Sequence, residues 1–196
     1  MPSGRFLTLR AKPYNDDLIV DALSKEGEKF TFSAKNAIKS KKRFAGGVLE
    51  PLHFVEFFYT QSKSGFYYIQ EAKVIHGFSE LRKDYHKLEM AFYFIKLISR
   101  ATYEGLSDNK ALFDLLGNSL KALESTEKPE LLKLQFELKY LFYLGLLEIS
   151  DDTGEFVGKP MNLHHQIELT DDEYLYLNQM TKQRLKQSVE LLQSEV

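Results

Sequence analysis

Five basic residues fall close together early in the chain, with no acid among them. They are Lys35, Lys39, Lys41, Lys42 and Arg43, all within nine residues. A cluster of this kind can neutralise phosphates and release their condensed counterions, which gives affinity for nucleic acid without base specificity. The same composition is also typical of a solvated lysine-rich loop, so both interpretations stay open at this point.

The overall charge conceals an asymmetry. The chain of 196 residues has a formal net charge of −2. Residues 1–75, however, hold twelve Lys and Arg against eight Asp and Glu, whereas residues 76–196 hold fourteen against twenty. The basic excess therefore belongs to the first part of the chain, where the cluster lies.

Side chains for other chemistry are scarce. The chain has no cysteine, which excludes thiol catalysis, disulfides, Cys-ligated zinc and iron–sulfur clusters and favours a reducing compartment. His164 and His165 are adjacent, and no two histidines have the spacing of a helical zinc site. A glycine-rich phosphate loop, a serine nucleophile elbow and paired carboxylates are also missing from the sequence. We therefore predict no catalytic residue, no metal site and no cofactor.

The elements that must position the basic cluster are short strands. Up to about residue 77 the sequence alternates with period two between turn-forming residues. The predicted strands are Phe6–Ala11, Leu18–Leu23, Lys29–Lys35, Leu52–Thr60 and Phe66–Ile75. Five strands in about 75 residues, without a long helix between them, favour a small antiparallel barrel, with the OB-fold as leading candidate.

The remainder of the chain is predicted to be helical. The four expected helices run from Asp84 to about Tyr103, from a cap at Ser107 or Asp108, from Glu130 to Leu144, and onward from Thr170. A hairpin or irregular excursion is expected between the last two, at about 146–169. The predicted fold class is α+β, with an OB-fold domain at 1–77 and an all-α domain at 78–196. The longest apolar run falls far short of the ~20 residues that span a bilayer, so we expect a soluble protein with no membrane partner.

Several segments resemble one known family. They are Leu9–Tyr14, Asp17–Val20, Ala34–Gly47, Leu49–Leu52, Glu71–Ala72, Gln135–Leu138 and Leu144–Gly145. Their order and spacing, over roughly residues 5–147, resemble the bacterial RecO family. The resemblance implies an OB-fold with a helical domain, acting as a non-enzymatic DNA repair and recombination mediator in the bacterial cytoplasm and nucleoid. It implies binding of single- and double-stranded DNA, annealing of complementary strands, and action with RecR and single-stranded-DNA-binding protein.

An OB-fold suggests how DNA would be bound. Such barrels pair a cationic groove with exposed aromatic rings on which bases stack. The expected phosphate contacts are the basic cluster together with Arg10 and Lys12, and Tyr14 joins them from its turn. Among the barrel aromatics Phe57, Phe58, Tyr59, Phe66, Tyr67 and Tyr68, at least half should fill the core. Only Tyr14, Tyr59 and Tyr67 are expected as stacking residues.

A second surface is inferred from the resemblance alone. The acidic, Phe-ended tail of single-stranded-DNA-binding protein would need an apolar notch with a basic rim on the helical domain. Arg100, Lys133 and Lys139 lie on suitable predicted helices. The acidic excess of this part of the chain makes the expected contact weak.

The chain also departs from the family pattern. Lys35-Asn36-Ala37-Ile38 stands where members usually carry Lys-Gly-Ala-Arg, and Asn accepts the left-handed backbone that the turn requires. Ile38 removes one basic charge. Many members have a four-cysteine zinc module after the helix that ends at Leu144-Gly145, whereas this chain has no cysteine. The alternative function is a protein-interaction adaptor of the same fold that has lost most DNA binding. A hydrolase on an OB scaffold is a weaker alternative.

Overall fold

The computed structural model describes residues 1–40, 42–105 and 109–194. The chain divides into two compact units. One contains residues 1–79 and 102–113, and the other contains residues 80–101 and 114–196. The first unit holds the strands and the second holds most of the helices.

The first unit is built around a closed five-stranded barrel. Its strands are β1 (Ser3–Tyr14), β2 (Asp17–Ser24), β3 (Lys29–Ala34), β4 (Phe54–Gln61) and β5 (Tyr67–His76). The order around the barrel is β1-β2-β3-β5-β4, with β4 returning to β1. The β3–β5 pair is parallel and the other pairs are antiparallel. The predicted N-terminal OB-fold barrel is therefore confirmed.

Alternate residues of each strand fill the barrel. Val20, Phe32 and Phe57 have no exposed surface, and Phe6 is 2% exposed. The rings of Phe6 and Phe32 meet edge to face at a centroid distance of 5.1 Å, the geometry that the charge distribution of aromatic rings favours. Because side chains alternate along a strand, the residues between these core positions point to the outer face, where some of them, such as Asp21, are covered by neighbouring side chains.

The strand register aligns outer-face residues in rows. Arg10 pairs with Asp21, and Asp21 pairs with Thr31. Two residues further along, Lys12 pairs with Ile19, Ile19 with Ser33, and Ser33 with Tyr68. The register across β1, β2, β3 and β5 therefore places Lys12 and Tyr68 in one row.

The helices are α1 (Tyr85–Ala101), α2 (Lys110–Ser125), α3 (Pro129–Tyr143), α4 (Asp151–Gly158) and α5 (Asp171–Ser194). Helix α3 is the most buried: the rings of Phe94 and Phe136 stack at 4.0 Å, and the Tyr140 hydroxyl donates to Leu97 O at 3.2 Å. The predicted caps of α2, Ser107 and Asp108, lie outside the described residues. No helix in the described ranges combines the length and apolarity needed to cross a membrane.

The segment at 146–169 is helical, so the hairpin interpretation is wrong. It contains α4 and a 3₁₀ helix at Met161–Gln166. Ser150 and Thr153 bond to each other at the start of α4, where Ser150 N donates to Thr153 Oγ1 at 3.0 Å. The acids Asp151 and Asp152 occupy the first turn of α4, where they interact favourably with the positive end of the helix dipole.

Candidate nucleic-acid interface

Residues 35–40 and 42–43, which we call the basic loop, are held against the barrel by buried apolar anchors. Ala37, inside the loop, and Phe44, directly after it, are each 6% exposed and belong to the barrel core. Ser40 Oγ accepts hydrogen bonds from Arg43 N at 3.1 Å and Phe44 N at 3.2 Å. The loop is therefore an ordered part of the barrel, in contrast to a freely solvated lysine-rich loop.

The basic loop is also bonded to the β1–β2 turn. Asn36 N donates to Asp17 Oδ1 at 2.7 Å, and Ile38 N donates to Asp16 O at 3.2 Å. Asn36 has φ of 53°, which confirms the left-handed backbone expected there. Tyr14, which pairs with Asp17 in the register, is 65% exposed. The turn that carries Tyr14 and the basic loop therefore lie together at one end of the barrel.

Four cations of the basic loop are exposed: Lys35, Lys39, Lys42 and Arg43. Lys39 Nζ lies 2.7 Å from Asp16 Oδ2, and the Arg43 guanidinium donates to Lys35 O. Lys35 Nζ lies 4.5 Å from the centroid of the Tyr68 ring. Lys41, the fifth predicted cation, lies outside the described residues.

Arg10 and Lys12 are exposed on β1. The Arg10 guanidinium is held by a buried carboxylate: Nε lies 2.8 Å and Nη2 lies 2.7 Å from Asp21 Oδ2. Thr31 Oγ1 donates to Asp21 Oδ1 at 3.1 Å. The Arg10 side chain is still 65% exposed, so Asp21 fixes its position and leaves much of the guanidinium open to solvent.

Two of the three expected stacking residues, Tyr59 and Tyr67, are partly buried and pack against the barrel core. The Tyr59 ring lies 5.4 Å from Phe32 and 5.8 Å from Tyr67, and Tyr67 lies 5.3 Å from Phe30. Burial raises the pKa of the Tyr59 hydroxyl. The rings of Tyr59 and Tyr67 are therefore engaged in contacts with core aromatics, and their stacking on bases stays a prediction. The sequence analysis did not single out Phe66, whose side chain is largely exposed.

The three cations expected on the helical part occupy different environments. Arg100 is exposed near the end of α1. Lys133 is half-buried, with Nζ 5.2 Å from the centroid of the Tyr93 ring. Lys139 is only 7% exposed, and its Nζ donates to Val157 O at 2.6 Å. Lys139 is therefore committed to the contact between α3 and α4, which corrects its assignment to a partner surface.

The segment that corresponds to the family's zinc module has no donor set for zinc. It contains no cysteine. Its one buried histidine, His164, uses both ring nitrogens within the fold: Nδ1 contacts Met161 O at 2.8 Å, and Nε2 contacts Thr126 Oγ1 at 2.5 Å. Burial lowers the pKa of His164. Residues 146–169 therefore do not fit a four-cysteine zinc site.

Packing from α3 stabilises this segment. Gln135 Nε2 donates to Phe156 O at 3.1 Å and to Lys159 O at 2.7 Å. These bonds, with that of Lys139, satisfy carbonyls at the C-terminal end of α4 that have no partner within the helix. Phe156 is 1% exposed. Side-chain capping and apolar burial therefore hold the segment in place.

Family models match both parts of the chain. The model described as Recombination protein O N terminal matches residues 3–78, and the model described as Recombination protein O C terminal matches residues 82–147. The first match covers the barrel and the second covers α1 to α3. The predicted assignment of both regions to one family is thereby confirmed.

Curated relatives agree with these matches. The chain is 33% identical over 148 residues to the DNA repair protein RecO of Desulfosudis oleivorans, covering 74% of this chain and 56% of that protein. It is 30% identical over 155 residues to the DNA repair protein RecO of Myxococcus xanthus, covering 79% of this chain and 63% of that protein. The chain thus spans only about half to two thirds of the relatives that it matches. These matches show that the chain belongs to the RecO family, and the closed barrel and the basic loop agree with this assignment.

Proposed function

We propose that this chain acts in DNA repair as a homologous-recombination mediator that binds single- and double-stranded DNA through the first unit. The supporting observation is the ordered basic loop, which places Lys35, Lys39, Lys42 and Arg43 at the surface beside Tyr14. Lysine and arginine at such a surface bind phosphates by releasing counterions. The printed name shared by the relatives, DNA repair protein RecO, agrees with this proposal.

The mechanism requires no nucleotide hydrolysis and no catalytic residue. Two DNA strands repel each other through their phosphates, and the cations of the first unit reduce this repulsion when they contact both strands. The free energy of base pairing then drives the complementary strands to form a duplex. The protein therefore anneals strands as a binding protein and not as an enzyme.

The proposed partners are RecR and single-stranded-DNA-binding protein, in the bacterial cytoplasm. The mediator helps to exchange single-stranded-DNA-binding protein for the recombinase, as in the RecF pathway. Arg100 and Lys133 stay as the candidate contacts for the acidic tail of single-stranded-DNA-binding protein. Lys133 lines a cavity of about 270 Å³ together with Met90 and Tyr93, but Glu89 and Glu130 line it as well, which agrees with the weak contact expected for an acidic tail.

An annealing assay tests this function. Complementary oligonucleotides are mixed with the protein, with and without bound single-stranded-DNA-binding protein, and duplex formation is followed with time. We expect annealing by the wild-type protein and strongly reduced annealing when Lys39, Lys42 and Arg43 are changed to Ala. As a matched control, Lys121, Lys182 and Lys186 are exposed lysines of the second unit, and their change to Ala removes the same number of charges.

A protein-interaction adaptor is the second candidate function. Ile38, which is 52% exposed within the basic loop, places an apolar side chain where the family usually has a cation. If wild-type protein binds neither DNA form and does not accelerate annealing, yet binds RecR, the adaptor function replaces the mediator function.

A further inference from the structure

Two aromatic side chains of the β5 region lie on the outer face of the barrel. Phe66, directly before β5, is 65% exposed, and Tyr68 is half-buried. Of the residues that alternate with them, Ile69 lies in the barrel core and Tyr67 is partly buried against it. Two residues of extended chain span roughly 6.6 Å, so the Phe66 backbone, directly before β5, lies near that of Tyr68, and both rings are at least partly exposed.

Hydrogen bonds fix the hairpin tip that carries Phe66. Phe66 N donates to Ser62 Oγ at 3.0 Å, and Ser62 N donates to Phe66 O at 2.8 Å. Gly65 N donates to Ser62 O at 3.0 Å, and Gln61 Nε2 donates to Gly65 O at 3.2 Å. The backbone of the tip is therefore ordered, while the ring of Phe66 is left largely in water.

Cations accompany the two rings on this face. Lys35 Nζ lies over the Tyr68 ring at 4.5 Å. Lys12 occupies the same row as Tyr68 in the strand register, through Ile19 and Ser33. Lys63, at the hairpin tip, is exposed. Rings flanked by cations are the combination with which OB-folds hold single-stranded nucleic acid, and the β4–β5 loop is one of the places where such barrels bind it.

A single exposed ring would carry no argument, since isolated apolar residues are normal on protein surfaces. Here, however, two partly exposed rings lie two residues apart at the start of β5, and Lys35 lies over one of them. The rings also lie on the barrel whose loop carries the proposed phosphate contacts. This juxtaposition distinguishes them from Tyr85 in the second unit, which is 81% exposed.

We propose that Phe66 and Tyr68 form a stacking surface for unpaired DNA bases, so that the chain binds single strands more tightly than duplex. This inference rests on the proposed function, because it assigns specificity to the same DNA-binding unit. Phosphates are present in both DNA forms, so the cations bind both. Bases in a duplex are already stacked on their neighbours, so only an unpaired base can move onto a protein ring. When a base stacks on Tyr68, Lys35 leaves the ring and pairs with a phosphate.

Binding measurements on the full chain test this proposal. The affinities for an oligothymidylate and for a duplex of equal length are measured by fluorescence anisotropy over a salt series. We expect Phe66→Ala and Tyr68→Ala each to weaken single-strand binding about fivefold or more. Duplex affinity should change by less than about twofold, and the salt slope should be unchanged because no phosphate contact is lost. Tyr85→Ala serves as the control and should leave both affinities unchanged.

A fluorescence readout gives an independent test. The chain contains no tryptophan, so Phe66→Trp introduces a single reporter at an exposed position where the fold tolerates substitution. Oligothymidylate should quench this fluorescence, whereas the duplex should leave it nearly unchanged.

The results separate this inference from the proposed function. If wild-type protein binds both DNA forms but Phe66→Ala and Tyr68→Ala weaken them equally or not at all, the stacking surface is overturned and the mediator function stands. If wild-type protein binds neither DNA form, both are overturned. Equal quenching of Phe66→Trp by single strand and duplex also contradicts the proposal.

Discussion

Lys39 Nζ lies 2.7 Å from Asp16 Oδ2, and this ion pair joins the basic loop to the β1–β2 turn. The Lys39 and Asp16 side chains are 70% and 50% exposed. Exposed pairs of this kind contribute little to stability. In the proposed function, the main effect of the Asp16 carboxylate is therefore electrostatic: it competes with a DNA phosphate for Lys39.

Asp16→Asn should strengthen DNA binding. It removes a negative charge beside the basic loop and releases Lys39, so we expect the Kd for single-stranded DNA to fall by about two- to fivefold at low salt. The free energy of unfolding should change by less than about 1 kcal/mol. Asp152→Asn, at an exposed position on α4, is the control. An unchanged or raised Kd for Asp16→Asn would contradict this account.

Asp21→Ala should destabilise the barrel. The buried carboxylate accepts hydrogen bonds from Arg10 and Thr31, and its removal leaves both donors without this acceptor. We expect a loss of about 1–3 kcal/mol in the free energy of unfolding, measured by urea denaturation. Glu71→Ala, at an exposed position on β5, should change it by less than about 0.5 kcal/mol. Equal effects of the two substitutions would show that the Asp21 contacts carry no stability.

Lys139→Met should loosen α4. Methionine preserves the apolar length of the side chain but cannot donate to Val157 O, which Lys139 contacts at 2.6 Å. We expect a loss of about 1–3 kcal/mol in unfolding free energy and faster amide exchange in α4. Lys121→Met, at an exposed position on α2, provides the comparison. Unchanged exchange in α4 would exclude this capping role.

Glu137 gives the second unit a pH-dependent stability. Its side chain accepts a hydrogen bond from the Tyr93 hydroxyl at 2.5 Å. Burial raises the pKa of Glu137 above its ordinary value of 4.5, against the opposing effects of the Tyr93 hydrogen bond, Lys133 and Lys182. The folded protein therefore retains a proton that the unfolded chain has released, and stability falls as pH rises from 4.5 through the raised pKa.

Glu137→Gln removes this titration. Relative to wild type, its free energy of unfolding should rise as pH increases through the same window, because glutamine stays neutral. Urea unfolding at a series of pH values measures the difference. Glu148→Gln, at an exposed position, should show no such trend. A difference between Glu137→Gln and wild type that is independent of pH would contradict this assignment.

The barrel could be predicted from the sequence because apolar and polar residues alternate regularly in strands such as β3. Phe30, Phe32 and Ala34 alternate with polar residues, and the structure places all three toward the core. The left-handed backbone at Asn36 was also predictable, because Asn replaces Gly there. These features are local, so a single segment of sequence contains the information that determines them.

The outward side chains of residues 66–68 could not be predicted in the same way. Residues 66–68 are consecutive aromatics, and a shift of one residue exchanges the inner and outer faces of a strand. The β4–β5 pairing also contains a register irregularity between Phe58 and Tyr59, so the parity of one strand does not fix that of the other. The role of Lys139 was hidden for a different reason: its acceptor at Val157 belongs to another helix, and only packing brings the two together.

The central claim, that the cations of the basic loop bind DNA phosphates, is tested most directly by the salt dependence of single-strand affinity. Wild type is compared with the variant in which Lys39, Lys42 and Arg43 are changed to Ala, and with the control variant changed at Lys121, Lys182 and Lys186. Three lost phosphate contacts should flatten the slope of log K against log salt concentration by about 2, at ~0.7 per contact, while the control keeps the wild-type slope. A basic-loop variant with the wild-type slope would contradict the account.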